Sequence, residues 1–88
     1  MSLIDEIYNL YEKLVADAIL ETRQPGDEQD FLADVMCVAL NRLPSRYYRH
    51  SVDMMFYMAE GEMNDLKQQS LDAVKDAREF VTGHGREL

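Results

Sequence analysis

Cysteine, proline and glycine are scarce in this chain, and each shortage limits what the protein can be. Cys37 is the single cysteine among 88 residues, which excludes an intramolecular disulfide and a cysteine-based zinc site. The four glycines form no phosphate-cradling loop, and no nucleophile–base pair predicts an enzyme. No apolar run approaches the ~18 residues of a membrane span, and the acidic N-terminus does not resemble a signal peptide. We expect a cytoplasmic protein without cofactor or catalytic activity.

Acidic residues dominate the chain but are missing from one region. The formal net charge is −8, which argues against non-specific binding to nucleic acid or to an anionic membrane. Between Asp34 and Asp53 there is no carboxylate, and Arg42, Arg46 and Arg49 give this window a charge of +3 while the rest of the chain carries −11. Such a region can attract a small anion that the remaining surface would repel.

Hydrophobic periodicity predicts three principal helices within a single domain, residues 1–88. The expected bounds are Ile4 to about Glu21, about Glu28 to Arg42, and a third helix after Gly61 that stops at Gly83. Ser2 is placed to cap the first helix. Pro44 ends the second helix because it disfavours helical backbone at Leu43. The expected fold class is therefore mainly α, with one extended segment between the second and third helices.

The segment from Ser45 to about Met58 fits two patterns. Val52, Met54, Phe56 and Met58 alternate like a strand, whereas Val52, Met55, Phe56 and Ala59 fit a helical turn. β-branched and aromatic residues favour the extended form, and a lone strand would need a partner edge, which a second subunit could supply. A hydrophobic content of 47% also exceeds what three elements readily cover, so we expect a homodimeric bundle.

The three arginines of the positive window are the first candidate site residues. Guanidinium groups bind phosphate oxygens bidentately and reach the O6/N7 edge of guanine, so Arg42, Arg46 and Arg49 could form a phosphate or guanine clamp. Alternatively they pair with carboxylates of neighbouring helices, for example Asp34, and serve only the fold.

Aromatic and imidazole side chains adjoin these arginines. Tyr47 and Tyr48 could stack on a nucleobase. Adjacent residues of an extended segment point to opposite faces, so we expect one tyrosine to be buried and the other available. His50 could add a donor to an anion site. Cys37, in the middle of the second helix, is interpreted as a packing residue.

Three further residues are assigned structural roles. Asn41 lies near the end of the second helix, where Pro44 leaves carbonyls without donors, and we expect it to bond the backbone. Asp34 is expected to be an ion-pair partner of an arginine. None of these residues is expected to bind the ligand directly.

The stretch from Asp34 to Tyr47, with Ala39-Leu40-Asn41-Arg42-Leu43-Pro44-Ser45-Arg46-Tyr47 at its end, resembles the signature of the late competence development protein family, ComFB. In that family an Ala-Leu-Asn-Arg-Leu-Pro-Pro-Arg-Tyr stretch follows an aspartate-containing helix, and here Ser45 replaces the second proline. Glu12 and Val15 also match the frame of the family's first helix. The match covers roughly the first half of the chain.

This resemblance implies a small, mainly helical bacterial homodimer that binds a cyclic dinucleotide and signals to an unidentified protein partner. Cyclic di-GMP is the leading candidate, and a two-fold symmetric ligand suits a homodimer that offers the same arginine–tyrosine segment twice. Some relatives hold zinc through cysteines between the first two helices, but residues 22–27 here contain none. The alternative is a dimeric adaptor that docks a protein partner without a nucleotide.

Overall fold

The structure, a computed structural model, describes residues 2–50 and 53–84 and is mainly helical. In chain order the elements are a first 3-10 turn Leu3–Glu6, strand β1 Ile7–Asn9, helix α1 Leu10–Thr22, helix α2 Gln29–Arg42, strand β2 Tyr47–Arg49, a second 3-10 turn Met54–Tyr57 and helix α3 Glu62–Gly83. The three predicted helices are confirmed, and the described residues add a small two-stranded sheet. No helix within these ranges has the length and apolarity to cross a membrane.

The start of α1 differs from the prediction. The helix begins at Leu10, and Ser2 makes no capping hydrogen bond. Asn9 is the N-cap instead, and its side-chain oxygen accepts a hydrogen bond from the backbone N–H of Tyr11 at 3.2 Å. The preceding residues leave the helix because Ile7–Asn9 pairs with another strand, and this long-range pairing overrides the local helical periodicity.

The two strands form an antiparallel β-ribbon. Its register pairs Ile7 with Arg49, Tyr8 with Tyr48 and Asn9 with Tyr47. Two backbone hydrogen bonds extend the ladder at its ends, from Leu10 N–H to the Arg46 carbonyl at 2.7 Å and from His50 N–H to the Glu6 carbonyl at 3.0 Å. The chain's own N-terminal segment therefore supplies a partner edge for β2.

The predicted course of α2 is confirmed. It ends at Arg42, and Leu43 takes extended backbone angles immediately before Pro44, as the proline requires. Cys37 is exposed on this helix, so its interpretation as a packing residue was wrong. The reason is geometric: Leu32, Val35 and Ala39 form the buried stripe, and Cys37 lies on nearly the opposite side of the helix.

The extended interpretation of residues 52–58 was wrong over most of its length. Met54–Tyr57 forms a 3-10 turn, with a hydrogen bond from Phe56 N–H to the Asp53 carbonyl at 3.1 Å. Val52 lies outside the described residues. The extended conformation occurs earlier, in β2, where a paired strand satisfies the backbone.

Two adjoining hydrophobic clusters hold the ribbon on the helices. The first joins all three helices through fully buried small and branched side chains, namely Val15, Val35, Ala39, Val74, Ala77 and Val81. The second contains Leu10, Tyr11, Leu14 and Leu66, and the rings of Tyr8 and Tyr48 pack against it. Leu40 and Leu43 contact both clusters, so the end of α2 links the helical core to the ribbon.

Candidate ligand-binding site on the β-ribbon

The alternation of β2 divides the predicted site residues between two faces. Arg46 and Tyr48 lie on the inner face, where both are partly buried, whereas Tyr47 and Arg49 lie on the outer face and are exposed. Tyr47 is 59% exposed. Tyr48 packs on the cluster of Leu10, Tyr11, Leu14 and Leu66, called the Leu10 cluster from here on. The two tyrosines point to opposite faces as expected, but Tyr48 is only partly buried.

Arg46 lies on the inner face and is held by two polar partners. Its Nη1 donates to Oε2 of Glu62 at 3.2 Å, and its Nη2 donates to the hydroxyl oxygen of Tyr48 at 2.8 Å. Its backbone N–H donates to the side-chain oxygen of Asn9 at 3.0 Å. The hydrogen bond to Tyr48, together with that to Glu62, raises the pKa of Arg46 above its ordinary value, although burial acts in the opposite direction. The cation is therefore permanent.

A tyrosine hydroxyl lies close to this arginine–carboxylate pair. Tyr11, buried at the start of α1, donates its hydroxyl to the side-chain oxygen of Gln69 at 2.8 Å. Burial raises the pKa of Tyr11, the charge of Arg46 partly opposes that rise, and Glu62 adds to it. Tyr11 therefore stays neutral and acts here as a hydrogen-bond donor.

The inner face also carries a row of stacked rings. His50 stacks on Tyr8 with 4.9 Å between ring centroids, and Tyr8 meets the Tyr48 ring at 6.3 Å. His50 thus joins the ribbon by ring contact as well as through its backbone N–H. Sequence reasoning missed Tyr8, because its place beside Tyr48 and His50 follows from the strand register.

Arg42 does not join the other site residues. Its guanidinium lies over the Phe80 ring, 4.8 Å from the centroid, and Phe80 also stacks on His84 at 4.0 Å. Arg46, in contrast, contacts Glu62 at the opposite end of α3. At ~1.5 Å per residue, about 27 Å of helix separates Glu62 from Phe80, so the two guanidinium groups of one chain diverge.

The remaining predicted residues occupy peripheral positions. Arg49 is exposed beside Ile7, its partner in the register. Asn41 is exposed on the last turn of α2, and Asp34 is partly buried within that helix. The carboxylate that pairs with Arg46 is Glu62, which sequence reasoning did not identify. A signal was available, since Glu62 directly follows Gly61 and opens α3, where carboxylates are favoured.

Four clefts in the described part of the chain lie elsewhere. One of about 480 Å³ separates the end of α1 from α3 and is lined by residues that include Thr22, Leu71 and Arg78, but by none of the six predicted ligand residues. In the described part of the chain, no cluster of three or more His, Cys, Asp or Glu is arranged to hold a metal ion. The candidate site is therefore a surface of the ribbon, with cations and ring faces as its functional groups.

Three helices packed together, with a ribbon that carries arginines and tyrosines across their ends, define a small mainly helical protein with a charged aromatic surface. The chain belongs to the ComFB family, whose model, described as late competence development protein ComFB, matches residues 8–84. This match extends from β1 through α3 and so includes the ribbon and the helix that supplies Glu62. Comparison with curated proteins and with solved structures found no match.

Proposed function

We propose that this protein is a non-enzymatic receptor that binds a cyclic dinucleotide, with cyclic di-GMP as the preferred ligand. It acts as a cytoplasmic homodimer and passes the bound state to a protein partner. Binding of this kind requires neither a nucleophile nor a metal. It requires cations for the phosphates and flat faces for the bases, and the ribbon carries both.

The observation that carries the proposal is the exposed pair Tyr47 and Arg49 on the outer face of β2. Residues two apart on a strand share a face, so one ligand can meet both side chains. A base stacked on an aromatic side chain contributes about 1–3 kcal/mol. The guanidinium beside it can bind a phosphate oxygen, and this occurs in the region of the chain that has no carboxylate of its own.

Arg46 and His50 flank this strand and offer further donors on its inner side. In a homodimer, two copies of this strand would present equivalent groups to the two phosphates of a two-fold symmetric ligand. Arg42 lies over Phe80 and would reach such a ligand only from the second subunit, because the two guanidinium groups of one chain diverge.

Isothermal titration with cyclic di-GMP tests the proposal. We expect micromolar or tighter binding by the wild type, and about a tenfold loss for Arg49→Ala and for Tyr47→Ala. Arg23→Ala, at the exposed end of α1, is the matched control and should bind like the wild type. Titrations with cyclic di-AMP, GTP and inorganic phosphate measure the selectivity of binding. Absence of heat with every cyclic dinucleotide would refute the receptor function.

A dimeric adaptor is the second candidate, and exposed apolar side chains favour it. Leu3 and Ile4 in the first 3-10 turn and Phe56 and Tyr57 in the second are all exposed. The first turn directly precedes Ile7, at the end of the ribbon where Ile7 pairs with Arg49. If these side chains contact a protein partner or a second copy, Phe56→Ser should weaken that association and leave nucleotide affinity unchanged.

A further inference from the structure

Glu62 uses both oxygens of its carboxylate. Oε2 accepts the hydrogen bond from Arg46, and Oε1 accepts one from the backbone N–H of Ala59 at 3.1 Å. Glu62 is the first residue of α3, and it follows Gly61, whose φ of 81° lies in the left-handed region that glycine adopts readily. This backbone turn directs the carboxylate towards the ribbon, so the position of Glu62 is set by the helix start.

We propose that Glu62 is an affinity-determining residue of the nucleotide site: its carboxylate holds Arg46 in the free protein and is displaced by a phosphodiester of the ligand. The inference rests on the proposed receptor function. A carboxylate and a phosphodiester both offer two oxygens that share one negative charge, so each can accept the same guanidinium hydrogen bonds.

The geometry of the Arg46–Glu62 pair supports replacement of Glu62 by a ligand oxygen. Arg46 uses a single nitrogen for Glu62, because its other terminal nitrogen donates to Tyr48. The side chains of Arg46 and Glu62 are 32% and 30% exposed, so water and solutes reach both groups. A partly exposed, singly bonded ion pair contributes less to stability than a buried bidentate pair. Replacing Glu62 with a ligand oxygen therefore requires neither unfolding nor burial of an unpaired charge.

The Arg78–Asp27 pair, which also joins distant parts of the chain, differs on each point. Arg78 donates from both terminal nitrogens to the two oxygens of Asp27, at 2.9 and 3.0 Å. Its side chain is 19% exposed and that of Asp27 is 11% exposed. This bidentate pair suits a permanent tie, whereas the Arg46–Glu62 pair suits replacement by an incoming anion.

Glu62→Gln tests the inference. The amide keeps an oxygen for Ala59 and removes the negative charge that competes for Arg46. Glu60→Gln, an exposed carboxylate two residues earlier, removes the same net charge and is the matched control. Cyclic di-GMP is titrated into the wild type and both variants, and thermal unfolding establishes that each variant is folded. We expect Glu62→Gln to bind about fivefold more tightly than the wild type and Glu60→Gln to bind like it.

The outcomes separate this inference from the receptor function. Tighter binding by Glu62→Gln alone supports it. Binding by Glu62→Gln when the wild type shows none overturns it, because the ligand then does not displace the carboxylate. Equal or weaker binding by a folded Glu62→Gln, with a wild type that binds, overturns the role of Glu62 and leaves the receptor standing. An equal gain in affinity for both variants also overturns it, because the gain then reflects only the change in net charge. No binding by any protein overturns both.

Discussion

Arg78 binds both carboxylate oxygens of Asp27 and so ties the loop between α1 and α2 to the later turns of α3. The same guanidinium lies over the Phe31 ring, 5.1 Å from its centroid. Asp27 also accepts a hydrogen bond from the backbone N–H of Gln24 at 2.9 Å, which closes the loop locally. One carboxylate thus fixes both the shape of the loop and its place on the helices.

This arrangement predicts a stability that depends on pH through Asp27. The hydrogen bond from Arg78, followed by that from Gln24, lowers the pKa of Asp27 below its ordinary value of 3.8. A depressed folded-state pKa gives a stabilisation that is complete above the unfolded-state pKa and is lost as pH falls through the folded-state pKa. Asp27→Asn should therefore melt at a lower temperature than the wild type at pH 7, and the difference should shrink below about pH 4.

Thermal unfolding followed by circular dichroism at a series of pH values measures this effect. Asp17→Asn is the control, because the Lys13–Asp17 pair is exposed and lies within one helix. Its melting curve should follow that of the wild type closely. A constant gap between Asp27→Asn and the wild type from pH 7 to pH 2 would contradict the assigned role.

We predict that Asn9 stabilises the fold at the candidate site. Its side-chain oxygen accepts hydrogen bonds from Tyr11 and Arg46, and so joins the start of α1 to the start of β2. Asn9→Ala should lower the free energy of unfolding by about 1–2 kcal/mol, as measured by urea denaturation. Ser2→Ala should change nothing, because Ser2 makes no capping hydrogen bond. Equal effects of the two substitutions would show that Asn9 has no special role.

Substitutions of the two adjacent tyrosines should affect different properties, stability at Tyr48 and ligand binding at Tyr47. Tyr48 packs on the Leu10 cluster and accepts from Arg46, so Tyr48→Ala should destabilise the fold by about 2 kcal/mol. Tyr47→Ala should lie within about 0.5 kcal/mol of the wild type, since the side chain is exposed. Urea denaturation and cyclic di-GMP titration of both variants test this. A large stability loss for Tyr47→Ala would remove it from the ligand surface.

We expect Arg42 to contribute modestly to the free energy of unfolding. Its described contact is with the face of Phe80, and it is exposed at the end of α2. Arg42→Ala should therefore cost about 0.5–1 kcal/mol, with Arg42→Lys between it and the wild type. Urea denaturation measures the difference. A loss of ~3–5 kcal/mol would instead indicate a buried ion pair, as the purely structural reading of the arginines requires.

Local patterns were enough for most of the helical fold. The apolar stripe of α2, the stop at Pro44 and the course of α3 up to Gly83 all depend on residues within a few positions of one another. The start of α1 depends on more than that. Residues 7–9 fit a helix by periodicity, and they form a strand only because a complementary segment about forty residues later is available.

The sequence indicated which region contains the candidate site but not how its side chains are arranged in space. The absence of carboxylates around Arg46 and Arg49 marked the region in the sequence. The partner of Arg46 comes from the start of α3, and the divergence of Arg42 follows from how α2 packs on that helix. Both facts depend on the tertiary packing of helices, which no local window of sequence contains.

The pairing of Ile7 with Arg49 also has a consequence for the order of folding. All of α1 and α2 lies between these two residues, so closing the ribbon early would cost the entropy of a long flexible loop. Once the two helices pack together, most of that entropy has already been lost. During synthesis, Arg46 acquires its acidic neighbour only after the ribosome has added a further sixteen residues. The Arg46–Glu62 pair is therefore completed late, and a nascent chain released before α3 would lack it.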